Sequence, residues 1–393
     1  MAGFTYYTPT KVVFGKETEM ETGALLKTFG ATKVLIHYGG GSVKRSGLLD
    51  RVKETLSKEK IEYVELGGVV PNPRLSLVYE GIALAKREGV DFILAVGGGS
   101  VIDSAKAIGY GIANEGDVWD FYDHKRTADS CAPIGVILTI AATGSEMSDS
   151  SVITNEEGWL KRGYNSDLCR PVFAIMNPEL TMTLPDYQTA CGCADILMHT
   201  MERYFTNGDQ MEITDSMAEA LLRTVMKNAL ILTEHPDDYD ARAEVMWAGS
   251  LSHNGLTGCG STEKDFATHG LEHEIGGMFD VAHGAGLTAI WGSWARYVYR
   301  DCLSRFSRFA VNVMQIDPKD KEEETVAIEG IEGMEAFFRK INLPVTMKEL
   351  GIEPTDDQIA ELARKCSAAC GGEKGSAKVL KEADMKKIYE MAR

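Results

Sequence analysis

The sequence predicts a Rossmann-like α/β domain with a parallel sheet over residues 1–182 and an all-α domain over residues 183–393. Three observations support this. The 393 residues exceed the length at which one hydrophobic core keeps growing. The first half alternates short apolar runs, glycine turns and amphipathic stretches, which is typical of strand–turn–helix units. Beyond "TLPDYQ" apolar residues recur at helical spacing, and Pro185 and Asp186 can begin a helix there.

Four apolar runs of the first half are predicted to be buried strands. "VLIHY" and "FILAV" are apolar at successive positions, which suits parallel strands covered on both faces. The later runs "APIGVILTI" and "PVFAIMN" extend the same sheet, and "GLLDRVKETLSKEK" is one of the helices expected to cover it. In the second half "DSMAEALLRTVMKNALILTE" and "EGIEGMEAFFRKI" carry the helical spacing.

Composition and charge exclude several classes of partner. The chain is 44% hydrophobic and 25% charged, as in an ordinary globular protein. A formal net charge of -17 repels nucleic acid and anionic lipid, so we expect neither as a partner. The opening "MAGFTYYTPTKVVFG" lacks a secretory pattern, and the eight cysteines lack zinc-knuckle spacing. The sequence therefore predicts a cytoplasmic protein with reduced thiols.

A glycine-rich loop in "FILAVGGGSVIDSAKAI" connects a predicted strand directly to a helix. Glycines let the backbone approach a ligand, and the helix N-terminus favours a phosphate group. We expect a pyrophosphate at Gly98, Gly99 and Ser100. The loop reads GGGS and not GxGxxG, so an ordinary glycine-rich turn is the alternative.

A second glycine loop, in "HYGGGSVKRSG", ends an earlier strand of the same sheet and contains Gly39, Gly40, Gly41 and Ser42. In dinucleotide enzymes an acidic residue at such a strand end often contacts the ribose hydroxyls and excludes a phosphate. No carboxylate occurs here, and Lys44 and Arg45 follow. This favours NADP over NAD, while a solvated helix start is the alternative role for Lys44 and Arg45.

Two paired groups of residues predict a metal site. "ATHGLEHEIGGMFDVAHG" contains His269, His273 and His283, and "ADILMHTME" contains Asp195 and His199, four residues apart on one helix face. Asp195, His199 and two of the three clustered histidines would offer nitrogen and oxygen ligands for zinc or ferrous iron. The spacing alone leaves open which two.

A rival interpretation is that "HGLEH" forms the H-x-x-E-H motif of inverted zinc proteases, with Glu272 as the base. That pattern spans five residues and occurs by chance. It also leaves Asp195, His199 and both glycine loops without a role. A metal-dependent dehydrogenase uses all of them.

Taken in order, "TPTKVVFGK", "YGGGSVKRSGLLD", "VVPNPRLS", "LAVGGGSVIDSAKAI", "LTIAATGSE", "NPELTMTLP", "DILMHTME" and "FATHGLEHEIGGMFDVAHG" are a specific set. The chain resembles the iron-containing alcohol dehydrogenases, most closely their NADPH-dependent butanol dehydrogenase and aldehyde reductase branch. The resemblance implies a homodimer and one divalent ion, Fe²⁺ or Zn²⁺, with Co²⁺ and Ni²⁺ as further candidates. It implies the metal ligands Asp195, His199, His269 and His283. His273 would then lie beside the nicotinamide and pass protons.

The resemblance also implies a set of contacts to NADP(H). Gly98, Gly99 and Ser100 match the pyrophosphate loop, and Gly39, Gly40 and Ser42 match the adenosine end. The further matching positions are Asn72, Asp103, Thr139, Thr143 and Lys161. Two residues depart from the family pattern: Asn177 replaces the usual aspartate, and Trp291 lies where leucine and proline are usual.

The function implied is a metal-dependent NADP(H) alcohol dehydrogenase or aldehyde reductase acting on short-chain primary substrates such as butanol and butyraldehyde. A dehydroquinate-synthase-like lyase shares the two-domain plan. It needs basic residues for an anionic substrate, and none occurs next to "THGLEHE". A non-catalytic nucleotide sensor is the alternative from outside the enzymes.

Overall fold

Residues 1–208 and 211–393 are described by a computed structural model, in which the chain divides into two units. The sheet unit comprises Tyr7–Thr183. The helical unit comprises Leu184–Arg393 together with Met1–Tyr6. The first six residues therefore pack with the helical unit, although the chain then continues directly into the first strand of the sheet unit.

The strands of the sheet unit are β1 Lys11–Phe14, β2 Lys33–Gly39, β3 Glu62–Val69, β4 Phe92–Gly97, β5 Ile134–Leu138, β6 Ser150–Asn155, β7 Leu160–Asn165 and β8 Phe173–Met176. Among the described residues, six of them form one sheet in the order β1-β8-β5-β4-β2-β3, and every neighbouring pair is parallel. Strands β6 and β7 pair antiparallel as a separate hairpin. The predicted parallel sheet is confirmed.

Helices on both faces explain why the central strands are apolar throughout. They are α1 Thr22–Thr28, α2 Ser42–Arg45, α3 Leu48–Lys58, α4 Leu75–Glu88, α5 Gly99–Ala113 and α6 Trp119–Tyr122. Every residue of β4 is buried. Val34, Ile36 and Tyr38 of β2 pack in one core with residues of α3, while His37 between them faces Ser104 of α5. Successive side chains thus enter opposite layers.

The sequence patterns did not predict β1 or the β6–β7 hairpin. Strand β1 lies at the edge of the sheet, has four residues and is only half-buried, so it lacks the continuous apolar run of a central strand. The hairpin strands read "SSVITN" and "LKRGYN", which are too polar to stand out. The hairpin still matters for the candidate site because it carries Lys161.

The helical unit contains α7 Asp186–Tyr204, α8 Glu212–Glu234, α9 Tyr239–His253, α10 Ala267–Phe279, α11 His283–Val298, α12 Leu303–Asn312, α13 Glu323–Lys340, α14 Asp356–Ala369 and α15 Glu382–Ala392. Short 3₁₀ helices in the two units are Thr18–Glu21, Asp167–Cys169, Pro178–Thr181, Leu256–Gly258 and Tyr299–Cys302. The predicted all-helical second half is confirmed. Within the described ranges, no helix has the length and apolar character that crossing a membrane requires.

The two departures from the family pattern both have local explanations. Asn177 Nδ2 donates to Glu19 Oε2 at 2.9 Å, and Asn177 Oδ1 accepts from Glu179 N at 3.0 Å. An aspartate could not donate to Glu19, and its charge would repel that buried carboxylate. Trp291 is fully buried, and its ring centroid lies 5.9 Å from that of Phe338. It fills the core of the helical unit.

Candidate active site

Helices α7, α10 and α11 carry the four predicted metal ligands. Asp195 and His199 are one turn apart on α7, and both are buried. His269 lies in the first turn of α10, and His283 is the first residue of α11. Asp280, in the left-handed region at φ 51°, ends α10 and allows the chain to turn back between these two histidines. The fold therefore brings residues 88 positions apart into one cluster.

The distances within this cluster fit a divalent cation. Asp195 Oδ1 lies 3.5 Å from His199 Nδ1, 3.5 Å from His269 Nε2 and 3.7 Å from His283 Nε2. Ligand atoms about 2.1 Å from one tetrahedral ion are about 3.4 Å apart. Asp195 Oδ1, His199 Nδ1 and His269 Nε2 are buried with no hydrogen-bond partner among the described residues. Buried polar atoms that converge in this way fit a cation.

His273 lies beside two of the predicted ligands, His269 and His283. It is one turn beyond His269 on α10, and its ring centroid is 6.4 Å from that of His269 and 5.9 Å from that of His283. One possible metal-ligand atom of His273 lies within 4.8 Å of such atoms of Glu272 and His283. His273 thus shares a group of possible ligand atoms with one predicted ligand, His283, and not with Asp195, His199 and His269. Its proton-transfer role stays a prediction.

Two fully buried glutamates contact the ligand histidines, and the sequence analysis did not assign them these roles. Glu202 Oε2 contacts His269 Nδ1, and Glu202 Oε1 accepts from His269 N at 3.0 Å. Glu272 Oε2 contacts His283 Nδ1. This contact argues against the protease interpretation, because Glu272 is buried against a histidine. Glu202 had a readable signal: it follows His199 by three residues, on the same helix face.

Burial and charge shift the pKa values of the cluster in opposite directions. Burial lowers the pKa of His199 well below 6.5, and His253, His269 and Arg203 lower it further. Burial would also lower the pKa of His269, but the carboxylates of Glu202 and Asp195 outweigh it and raise that pKa to about 9. The two imidazoles beside Asp195 therefore differ in pKa, because burial dominates at His199 and the neighbouring carboxylates dominate at His269.

His253 is a further neighbour of the cluster that the sequence analysis missed. It is the last residue of α9, and its ring centroid lies 3.9 Å from that of His199. Phe266 lies on the same side, 6.4 Å from His199 by ring centroids. Five of the eight histidines of the chain are thus linked by successive ring-centroid distances of 3.9 to 6.4 Å.

In the sheet unit, the first glycine loop leads from β4 into α5. Gly98 is the N-cap of α5, and Gly99 and Ser100 form its first turn. A Cβ on Gly98 would lie 1.8 Å from Ile140 Cγ2, and one on Gly99 would lie 2.4 Å from Thr143 Cγ2. Only glycine fits at both positions. The first N–H groups of a helix have no intrahelical acceptor, so this loop can bind a phosphate group.

The second glycine loop follows β2. Gly39 ends the strand, Gly41 has φ 120°, and a Cβ on Gly40 would have no atom within 4 Å. Ser42 begins the short helix α2 and is exposed. The backbone at Gly40 is therefore open to a ligand, in contrast to the crowded surroundings of Gly98.

Lys44 and Arg45 differ in their surroundings. Lys44 Nζ lies 5.0 Å from the centre of the Tyr38 ring, and the hydrogen bond to Tyr38 raises the pKa of Lys44. The Tyr38 hydroxyl donates to Glu65 Oε2 at 3.2 Å, and Glu65 also pairs with Lys53. Arg45 is exposed, and its Nη1 lies 3.5 Å from the place of a Cβ on Gly41. Lys44 is thus engaged with the sheet unit, and Arg45 lies along the glycine loop.

Asn72 and Lys161 are buried and connected through backbone pairing. Asn72 follows β3 with φ 53°, a left-handed conformation that asparagine tolerates. The next residue, Pro73, accepts a hydrogen bond from Thr154 N at 2.8 Å. Thr154 of β6 is in turn opposite Lys161 of β7. The hairpin therefore links both predicted cofactor contacts.

The remaining predicted contacts belong to one network around α5. Asp103 accepts from Ser145 Oγ at 2.6 Å and from Val152 N at 3.0 Å. Thr143 Oγ1 accepts from Ser145 N at 3.1 Å, and Thr139 N donates to Gly97 O at 3.1 Å. The fold gives Asp103 and Thr143 internal partners, and their contacts to a cofactor stay predictions.

Lys106, which the sequence analysis did not single out, holds the segment that follows Thr143. Its ammonium group is fully buried and donates to the carbonyl oxygens of Ser145, Ser148 and Ser150 at 2.7, 3.0 and 2.8 Å. A buried cation with this many acceptors fixes the path of residues 145–150 against α5.

Comparisons with known proteins cover the whole chain. A family model described as iron-containing alcohol dehydrogenase matches residues 9–178, and a model of the C-terminal region of that family matches residues 189–393. NADH-dependent butanol dehydrogenase A of Clostridium acetobutylicum is 40% identical over 391 residues, 99% of both chains. NADPH-dependent aldehyde reductase YqhD of Escherichia coli is 34% identical over 361 residues, which are 90% of each chain.

Solved structures give the same picture. The crystal structure of NADH-dependent butanol dehydrogenase A from Thermotoga maritima is similar with a TM-score of 0.96 and 39% identity, covering 100% of this chain and 99% of that one. The substrate- and cofactor-free form of Escherichia coli YqhD is similar with a TM-score of 0.87 and 30% identity, covering 100% of both chains.

Proposed function

Because the chain belongs to the iron-containing alcohol dehydrogenase family, we propose that it transfers hydride between NADP(H) and short-chain primary alcohols or aldehydes such as butanol and butyraldehyde. The observation that carries the proposal is the convergence of three imidazole nitrogens on Asp195 Oδ1 at 3.5 to 3.7 Å. The family implies a nicotinamide cofactor and one divalent metal, iron by its name. Zn²⁺, Co²⁺ and Ni²⁺ also suit this set of ligands.

The residues take distinct roles in the proposed reaction. Asp195, His199, His269 and His283 hold the cation, and the amides of Gly98, Gly99 and Ser100 bind the pyrophosphate. A cation held there would supply Lewis-acid polarisation of an aldehyde carbonyl group, and a reduced nicotinamide would supply the hydride. His273 donates the proton that the product alcohol needs. A histidine suits this task because its pKa lies near neutral pH.

The loop after β2 carries the proposed preference for NADP(H). Relatives named for NADH and one named for NADPH both match the chain, at 38 to 40% and 34% identity. Residues 39–46 contain no carboxylate that would repel a 2′-phosphate. Glu65 on the adjacent strand β3 does carry a carboxylate, but Lys53 Nζ lies 2.6 Å from Glu65 Oε1 and offsets its negative charge. Arg45 extends along Gly41, which supports it as the basic side chain that contacts this phosphate.

The test is an assay of NADPH and NADH oxidation with butyraldehyde by the purified protein, before and after chelation. We expect the activity to disappear on chelation, to return with Fe²⁺ or Zn²⁺, and to show a higher kcat/KM for NADPH. Activity that survives complete metal removal would contradict the dehydrogenase proposal. A higher kcat/KM for NADH would refute the coenzyme preference alone. We further propose a cytoplasmic homodimer, which light scattering of the purified protein tests for assembly.

A further inference from the structure

We propose that Glu202 and Glu272 are positioning residues that orient His269 and His283 toward the divalent cation and set the affinity of the site for it. This inference rests on the proposed function, because that function requires a divalent cation bound by His269 and His283. It adds two residues of this chain that act through the ligands without touching the ion or the substrate.

Glu202 binds His269 at two points. One carboxylate oxygen accepts the backbone N–H of His269 at 3.0 Å, and the other contacts its Nδ1. The main chain at Glu202 is also tied to this region, because Asp265 N donates to Glu202 O at 2.9 Å. Glu202 is fully buried on α7, whereas His269 lies on α10. The ring of His269 is therefore held with Nε2 directed at Asp195.

Glu272 has the corresponding contact with His283. Its carboxylate contacts His283 Nδ1, while His283 Nε2 faces Asp195 Oδ1 at 3.7 Å. The Glu272 side chain packs against Gly286 of α11, where any larger residue would be too close. A Cβ on Gly286 would lie 2.9 Å from Glu272 Cγ. The side chain of His283 is 24% exposed, and Glu272 is fully buried. A buried carboxylate thus fixes the most exposed of the ligands.

These contacts have a direct chemical consequence. A carboxylate that accepts the Nδ1–H of a histidine fixes the tautomer in which Nε2 offers its lone pair, and it raises the basicity of that nitrogen. In both pairs Nε2 is the atom that faces Asp195. Loss of such a carboxylate typically weakens metal binding about 10- to 100-fold. Glu202 contacts both the ring and the backbone N–H of His269, so we expect the larger loss at Glu202.

The variants Glu202→Gln and Glu272→Gln test the inference, with Glu274→Gln as the matched control. Glutamine keeps one oxygen acceptor and nearly the same volume, but it loses the charge and replaces the second acceptor with an NH₂ donor. Glu274 is also buried on α10, but its charge acts on Cys366 of α14. Metal-free full-length protein is titrated with Zn²⁺ against a chromophoric chelator. We expect Kd to rise about 10- to 100-fold in the two test variants and less than about threefold in the control.

A second measurement distinguishes orientation of the ligands from general destabilisation. The visible absorption of the Co²⁺-loaded protein reports the ligand field, and we expect it to change in both test variants and not in Glu274→Gln. Thermal unfolding of the metal-free variants checks that each one folds. If one test variant does not fold, the Zn²⁺ affinity and Co²⁺ spectrum of the other test the inference.

Test variants that bind Zn²⁺ as tightly as Glu274→Gln and give the wild-type Co²⁺ spectrum would overturn the inference. Failure of the wild-type protein itself to bind a cation would instead overturn the proposed function.

Discussion

The two candidate binding regions are built from different parts of the chain. In the helical unit, side chains from three helices converge on Asp195 Oδ1, and buried glutamates hold two of them. In the sheet unit, the loops after β2 and β4 offer backbone amides, and glycines keep the approach open. A site made of side chains depends on each residue's chemistry. A site made of backbone depends on which positions exclude a side chain.

The largest expected effect is that of Asp195→Ala. It removes the carboxylate oxygen that lies 3.5 to 3.7 Å from three imidazole nitrogens, so we expect loss of bound metal. We also expect kcat/KM to fall at least about 1,000-fold, since a Lewis-acid ion contributes several kcal/mol. Metal content by mass spectrometry and the aldehyde assay measure both. Asp186→Ala, at the exposed start of the same helix, is the control and keeps its metal.

His37 contrasts with the cluster because it is a buried histidine with a structural role. Nδ1 lies 2.9 Å from Leu66 O and Nε2 2.8 Å from Ser104 Oγ, and burial lowers the pKa of His37 to about 4. An unfolded chain binds this proton near pH 6.5. As the pH falls from 6.5 toward 4, only the unfolded state gains the proton, so stability is lost.

The gap between these two pKa values corresponds to about 3 kcal/mol of unfolding free energy. Urea unfolding at a series of pH values measures it, and His37→Gln should flatten the profile. Equal slopes for the wild type and the variant would show that His37 does not titrate in this way.

Removal of His273 separates chemistry from metal binding within the helical unit. Because we propose His273 as the proton donor and not as a ligand, His273→Ala should lower kcat by about 100-fold and leave the metal in place. Steady-state kinetics and metal analysis on the same sample test this. Loss of metal from the variant would place His273 among the ligands and refute its assignment as the proton donor.

Two glycine substitutions sharpen the contrast between the backbone loops. A Cβ at residue 98 collides with Ile140, so Gly98→Ala should lower the unfolding free energy by about 2 kcal/mol. Gly40 has open space at that point, and Gly40→Ala should change stability by less than about 0.5 kcal/mol. Both should raise the KM for NADPH. If Gly40→Ala leaves that KM unchanged, the second loop does not contact the coenzyme.

The smallest effect concerns the two basic residues after β2. Lys44 is engaged with Tyr38, whereas Arg45 lies along Gly41. Arg45→Gln should lower kcat/KM for NADPH by about tenfold, the loss of one charged contact, and leave that for NADH unchanged. Lys44→Gln, the matched variant, should have less effect. The reverse order would move the phosphate contact to Lys44.

The sequence predicts most of the sheet and misses its polar parts. Val34–Tyr38 and β4 were readable because they are buried on both faces, whereas β6 and β7 are polar and form a pair that only the tertiary fold defines. The α7 pair was readable because four residues make one helical turn. Spacing could not separate His273 from His283, since that depends on how α10 and α11 pack. The position of Glu202 on the same helix face as His199 was visible in the sequence. Its contact with His269 was not predicted, because the four metal ligands were already assigned to other residues.

Titration of the metal-free wild-type protein with Fe²⁺ or Zn²⁺, with butyraldehyde-dependent NADPH oxidation followed in the same samples, tests the central claim most directly. The cluster around Asp195 predicts that activity rises with added metal and reaches its plateau when one ion is bound per chain. Full activity before metal is added, or a plateau that requires a second ion, would contradict it.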